Sequence, residues 1–325
     1  MVHLMTSAML DPFHAASCQL VAACMSTESD SADHSACSSQ FSVSRLSYTL
    51  IMAQSGIPPP QAIHHELRTA ENSAGYLLPT LAELHKANPR LRLLDVGAGS
   101  GTISATLAKA IQPDGHVTAT DIKADILPRA KAVADLAGIT NIDYQEADVL
   151  SRLPFEDSTF DVTHCHQVLV HLPRPADAIR EMLRVTKPGG IVAAREGDLE
   201  TECVWPDLPG LAKFHTLTAA VISMAGGSPK AGRQLLSWAL QAGVPRDQVT
   251  PGLGSWCYSE PQERKVWAQG MVDALQKGRL RSVGLSSKLA TEDDLQEMAA
   301  AWEEWASADG AILGMMQGEI LVRKV

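Results

Sequence analysis

The chain has 325 residues and a formal net charge of −10, long enough for one large domain or two modest ones with an ample core. The acidic balance argues against a broad nucleic-acid surface, which needs clustered Lys and Arg; no apolar run reaches the roughly 20 residues of a membrane helix. The 6 cysteines show neither a C-x-x-C pair nor zinc spacing, so they read as free thiols in a reducing compartment, and no metal site is expected.

Residues 1–47 are rich in Ser, Ala, Cys and Met, with no Lys or Arg before Arg45. That lacks the positive start of a signal peptide and the Arg-rich character of a transit peptide, so a cytoplasmic protein is expected. The three prolines of SGIPPPQ (55–61) force extended backbone. Residues 1–62 therefore read as a poorly ordered extension and linker, and residues 63–325 as the folded domain.

RTAENSAGYLLPTLAELHKA (68–87) predicts a helix divided by Pro79. It could lie across a ligand as a lid, with Tyr76 touching a cofactor, or simply pack on a sheet edge. LRLLDVGAGSGTISATLAKAI (91–111) predicts a buried strand, a glycine turn and an amphipathic helix. Gly97, Gly99 and Gly101 let the backbone turn sharply and approach a ligand closely. A dinucleotide fingerprint wants a third small residue where Thr102 stands, and a P-loop wants Gly-Lys-Ser/Thr, which is absent. Asp95, two residues before the first glycine, would repel a pyrophosphate but suits a ligand with ammonium and sulfonium centres.

HVTATDI (116–122) predicts a second strand whose terminal Asp121 is placed to bind both hydroxyls of a ribose. A helix over 124–137 closes at Gly138. The third strand, 141–150, ends near Asp148, either an adenine-amine acceptor or a simple turn residue. The fourth ends in a cluster of His164, His166, Gln167 and His171. A helix over 174–190 stops at Lys187-Pro188-Gly189-Gly190, and IVAAREGD (191–198) is the fifth strand. This alternation means an α/β fold with a doubly wound, mostly parallel, Rossmann-like sheet, and ligands in such sheets bind beyond the strands' carboxyl ends. Asp95, Asp121, Asp148 and the His166/Gln167 pair all fall at that edge.

DVGAGSG, ATDI, EADVLSRLPFEDSTFDVTHCHQVLVHL and LRVTKPGG resemble successive motifs of class I S-adenosylmethionine-dependent methyltransferases of the ubiquinone/menaquinone-biosynthesis type and of fungal natural-product pathways. RTAENSAGYLLP and the C-terminal EWASADGAILGMMQGEILVRK are similar to the fungal enzymes, and the resemblance spans roughly residues 65–325. It implies a seven-stranded sheet with an antiparallel last strand, a cofactor core over 91–200 and an acceptor-binding region over 205–325. S-adenosyl-L-methionine is the implied cofactor, with Gly97, Gly99 and Gly101 under its methionine and ribose portions. Asp95 and the backbone at His166 would lie near the methionine amine, Asp121 on the ribose, and Ile122, Asp148 and Val149 around the adenine. The chain departs from the pattern where IMAQSGIPPPQAIHHEL intervenes after SYTL.

The implied reaction is methyl transfer to a small-molecule O-, C- or N-nucleophile, phenolic or another natural product, by in-line displacement. His166 is the first choice of general base and His171 the second, with Glu196 and Asp198 as alternatives; a carbon acceptor could need positioning only. Helices over 208–224, 230–242, 260–277 and 291–308 and a strand over 248–258 follow. They offer Phe214, Met224, Trp238, Trp256, Tyr258, Trp267, Trp302 and Trp305 either to an apolar acceptor pocket or to the core. The competing readings are a nicotinamide oxidoreductase, disfavoured by Asp95 and Thr102, and a catalytically silent cofactor-binding regulator. The sequence fixes no oligomeric state.

Overall fold

The computed structural model describes residues 63–325; the expectations for residues 1–62 lie outside them. Strands β1 (Arg92–Val96), β2 (His116–Asp121), β3 (Ile142–Glu146), β4 (Phe160–His166) and β5 (Thr186–Gly197) pair in parallel in the order β3-β2-β1-β4-β5. The order reverses between β1 and β4, which opens a crevice at their carboxyl ends. β8 (Ile312–Arg323) lies antiparallel between β5 and β7 (Val249–Tyr258), and the short β6 (Cys203–Trp205) pairs with the start of β8.

Strand alternation explains why this sheet is covered on both faces. Leu93 packs with Leu81, Leu107 and Val133, which come from α2 (Leu78–Ala87), α3 (Thr102–Ala110) and α4 (Leu127–Leu136), while a further short helix, α1 (Ala70–Ser73), precedes them. Its neighbour Leu94 points the other way, to Ile179 and Met182 of α5 (Pro175–Val185) and Leu235 of α7 (Ala231–Gln241). Each such fully buried leucine contributes about 1.5–3 kcal/mol. A third core joins α6 (Pro209–Met224), α8 (Pro261–Gln276), α9 (Arg279–Ser286) and α10 (Glu292–Ser307) to the outer strands through Phe214, Trp267, Trp302, Trp305, Leu313 and Met315.

Pro79 does divide the first helical stretch, sitting in the first turn of α2, where its missing N–H costs nothing. The helix expected over 174–190 ends at Val185 instead. Thr186 already pairs with Phe160, and Lys187–Gly190 bulges out before the register resumes at Val162 and Ile191. β6 and α9 were not expected, and β8 is the expected antiparallel last strand, starting at Ile312. No helix among the described residues is long and apolar enough to cross a membrane.

Candidate active site

Three left-handed glycines shape the turn after β1: Gly97 (φ 73°), Gly99 (φ 54°) and Gly101 (φ 78°). A Cβ on Gly97 would lie 2.3 Å from Val168 Cγ2, and one on Gly101 would lie 2.6 Å from Ala130 Cβ on α4. A Cβ on Gly99 would meet nothing within 4 Å. Two glycines therefore permit close packing and the middle one leaves room. The turn is pinned to the end of β2, because the amides of Gly97 and Ala98 both donate to Thr120 O at 2.8 Å. The Gly99 amide donates to Asp121 Oδ2 and the Lys123 amide to Oδ1, both at 2.9 Å.

A cavity of about 620 Å³ opens over this turn, in the range of small-molecule sites. The glycine turn, Asp121, Ile122, Lys123, Asp125, Asp148 and Val149 form one group of its lining. His65, Arg68, His166, Gln167 and His171 form a second group, the basic end, where the Arg68 charge acts on all three histidines.

Most of the expected residues thus meet in one place. Asp95 borders the cavity, but its carboxylate is committed: Oδ1 bonds His164 Nδ1 at 2.7 Å and Oδ2 accepts from Ser104 Oγ. Each oxygen thus has one partner within the fold. His164 is fully buried against that carboxylate, so the polar cluster at the end of β4 splits, with only His166, Gln167 and His171 lining the cavity. Asp148 borders the cavity and also caps its own turn, accepting from the Leu150 amide at 2.9 Å. Tyr76 does not line the cavity. Its hydroxyl is buried without a hydrogen-bond partner, and burial raises its pKa well above the usual value, with Cys165, Glu319 and Glu196 adding to the rise.

The alternative bases also take other roles. Glu196 is completely buried and accepts from the amides of Val168, Leu169 and Val170 at 2.9, 2.8 and 3.2 Å. Burial nevertheless pushes its carboxyl up to about 7. Asp198, equally buried, is held by the Arg233 guanidinium. Neither carboxylate lines the cavity. Of the side chains offered to an acceptor pocket, Phe214, Trp238, Trp256, Tyr258, Trp267, Trp302 and Trp305 are core and Met224 is exposed; none of them lines the cavity. Trp256 backs the basic end, 4.7 Å from the Arg68 guanidinium and 5.7 Å from the His166 ring.

His65 and Arg68 were missed because IHHEL precedes the recognisable helix and follows a proline-rich stretch. It folds as a 3₁₀ turn, Ile63–Leu67, held between two elements. Glu66 Oε1 accepts from Arg129 Nε of α4 at 2.6 Å in a buried ion pair, and the His64 ring meets Trp267 of α8 edge-on at 5.0 Å. Leu67 O accepts from Asn72 Nδ2, and the Ala70 amide reaches Thr106 Oγ1 of α3. The sequence signal was the polar quartet His64, His65, Glu66 and Arg68 standing directly before a helix.

Arg68 is the buried cation of this basic end. Burial lowers Arg68 only to about 10, so it stays protonated at neutral pH. Burial first, and the Arg68 charge with it, push His65 and His166 well below the ordinary histidine value. Both rings are therefore neutral through the physiological range. His171 is exposed at the rim and its pKa is likewise lowered.

Comparison with known proteins decides the family. A family model described as a methyltransferase domain matches residues 87–230. An uncharacterized methyltransferase of Schizosaccharomyces pombe is 31% identical over 275 residues, covering 80% of this chain and 92% of that protein. The chain belongs to the class I S-adenosylmethionine-dependent methyltransferases. The probable methyltransferase ltbC of Aspergillus luteorubrus is also 31% identical, over 80% of this chain and 92% of its own length. A crystal structure of a candidate methyltransferase from Bacillus halodurans shares 19% identity, with a TM-score of 0.49 over 76% of this chain and 98% of that one. The cofactor is S-adenosylmethionine, which sets aside the nicotinamide reading.

The methyltransferase's own residues fit that cofactor. Each Asp121 carboxylate oxygen already accepts one amide and keeps a lone pair for a ribose hydroxyl. Ile122 beside it is 61% exposed, an apolar side chain available to cover a ring. Gly99 leaves open space where a side chain would intrude.

Proposed function

We propose that this methyltransferase transfers a methyl group to a small natural-product acceptor, phenolic or otherwise nucleophilic at O, C or N, in fungal-type secondary metabolism in the cytoplasm. The observation that supports it is that one cavity brings together the glycine turn and Asp121, suited to a nucleoside, with the histidine-rich wall of His65, His166 and His171 around Arg68. The similarity to ltbC, named a probable methyltransferase, points the same way.

In this reading Gly97, Gly99 and Gly101 hold the methionine and ribose portions, Asp121 the ribose hydroxyls, and Ile122, Asp148 and Val149 flank the adenine. The bound cofactor supplies an activated, electrophilic methyl group on sulfur. The protein's share is to bring the acceptor into line with it and exclude water, which can account for about 7–11 kcal/mol of barrier. His166 is the side chain best placed to touch the acceptor: it lines the cavity, is 7% exposed, and neither ring nitrogen has a partner among the described residues. As a neutral imidazole it can accept the acceptor's proton as that proton is released. His171, at the rim, is the second choice.

The test is calorimetric titration with S-adenosylmethionine, then a mass-spectrometric screen of phenols, enols and amines for methylated product, on the wild-type chain and His166→Gln. Product formation with a turnover loss of at least tenfold in His166→Gln and unchanged cofactor affinity supports the reading. Cofactor binding without product on any acceptor would favour a silent cofactor-binding protein instead.

A further inference from the structure

The basic end of the cavity holds a cation that no carboxylate among the described residues pairs with. Arg68 is 8% exposed, lines the cavity, and its guanidinium makes no hydrogen bond or ion pair to any described residue, its Nε buried without a partner. What holds it is the face of Trp256, 4.7 Å away. Arg195, the other cation near that ring at 5.9 Å, is different, since it pairs with Glu319 at 3.1 Å and donates to Asn72 O. The neighbours of Arg68 around the cavity are His65, His166 and His171, none of them anionic. The nearby carboxylate, Glu196, spends its oxygens on three backbone amides. His166 adds two unpartnered ring nitrogens to the same wall.

A buried, unpaired cation costs free energy unless a ligand supplies the missing charge and hydrogen bonds. A planar guanidinium whose donors face a cavity is built for a carboxylate or an ionised acidic hydroxyl. Resting on the reading of this end as the acceptor subsite, we infer that the acceptor is an anion at neutral pH, seated with its acidic oxygen against the Arg68 guanidinium. The acidic oxygen held by Arg68 need not be the methylated atom, so His166 keeps its part in receiving the proton of a nucleophile beside it. Arg68 then selects against neutral isosteres, because only an anion satisfies it.

The probes are 4-fluorobenzoate and 4-fluorobenzamide, equal in shape and differing in charge. They are titrated by ¹⁹F NMR into the full chain saturated with S-adenosylhomocysteine, for wild type, Arg68→Gln and Arg68→Lys. The carboxylate should bind wild type at least tenfold more tightly than the amide. Arg68→Gln should shrink that preference below threefold, and Arg68→Lys should retain part of it, with S-adenosylhomocysteine affinity unchanged in both. Equal binding of the two probes to wild type, or an undiminished preference in Arg68→Gln, overturns the inference while leaving the acceptor subsite in place. Binding of neither probe removes the acceptor subsite itself. Should Arg68→Gln fail to fold, the wild-type pair and Arg68→Lys still decide.

Discussion

Glu196→Gln isolates a contest within one side chain. Complete burial favours its neutral form, and three backbone amides favour its carboxylate; burial wins, lifting the carboxyl from 4.5 to about 7. The folded state therefore holds this proton more tightly than the unfolded chain does. Its stabilising contribution is fully present below pH 4.5 and is lost as pH rises through 7. At about 1.4 kcal/mol per pH unit, the rise corresponds to about 3 kcal/mol between the two limits. Glutamine keeps the shape and removes the titration, although its Nε2 now faces an amide donor. The expected result is that Glu196→Gln is destabilised at pH 5 and gains on wild type by about 3 kcal/mol between pH 5 and 8. Urea-unfolding midpoints of both proteins across that range measure it. A difference that stays constant with pH would refute the reasoning, because Glu196 would then ionise as an ordinary amide-bound carboxylate.

Asp121→Ala removes both ribose acceptors and should weaken S-adenosylmethionine binding by about 3 kcal/mol or more, roughly a hundredfold, with a normal unfolding transition; calorimetric titration reads this, and unchanged affinity contradicts the placement. Gly101→Ala forces a left-handed alanine with its Cβ 2.6 Å from that of Ala130. A loss of about 1–3 kcal/mol is expected, together with weaker cofactor binding, followed by thermal unfolding with and without S-adenosylmethionine. Glu66→Ala leaves Arg129 without its buried carboxylate and should cost about 3–5 kcal/mol. Proteolysis at the 63–68 turn should accelerate with it, and a variant as resistant as wild type would show that the ion pair does not hold the turn.

The cofactor half of this fold was legible because its determinants are local. The strand, the three glycines and the helix lie within 91–111, and Asp121 marks the tip of the next strand, so spacing alone places them. Register inside long elements was less legible: Thr186 pairs with Phe160 across a bulge, and nothing in KPGG distinguishes a helix stop from a bulge that begins a strand. The partners of Asp95 within the fold, His164 and Ser104, were not legible because they come from the paired strand and the following helix. The basic side chains of the cavity were hidden most. His65 and Arg68 owe their place to Glu66–Arg129 and His64–Trp267, and the second of these spans some 200 residues of chain. The tryptophans were visible, but whether they line a cavity or stand behind it depends on that same long-range docking.

One helix of the sheet's cover has a double employment. Arg129 of α4 grips Glu66 and so anchors the turn that carries His65 and Arg68, while the next residue, Ala130, presses on Gly101 in the cofactor turn. A chimera that grafts the 63–68 turn of a relative onto this chain must therefore carry a matching partner at position 129. Bulkier replacements at 130 would shift the glycine turn instead. The basic wall of the cavity and its glycine turn are thus held by adjacent positions, separately addressable by mutation yet mounted on a single helix.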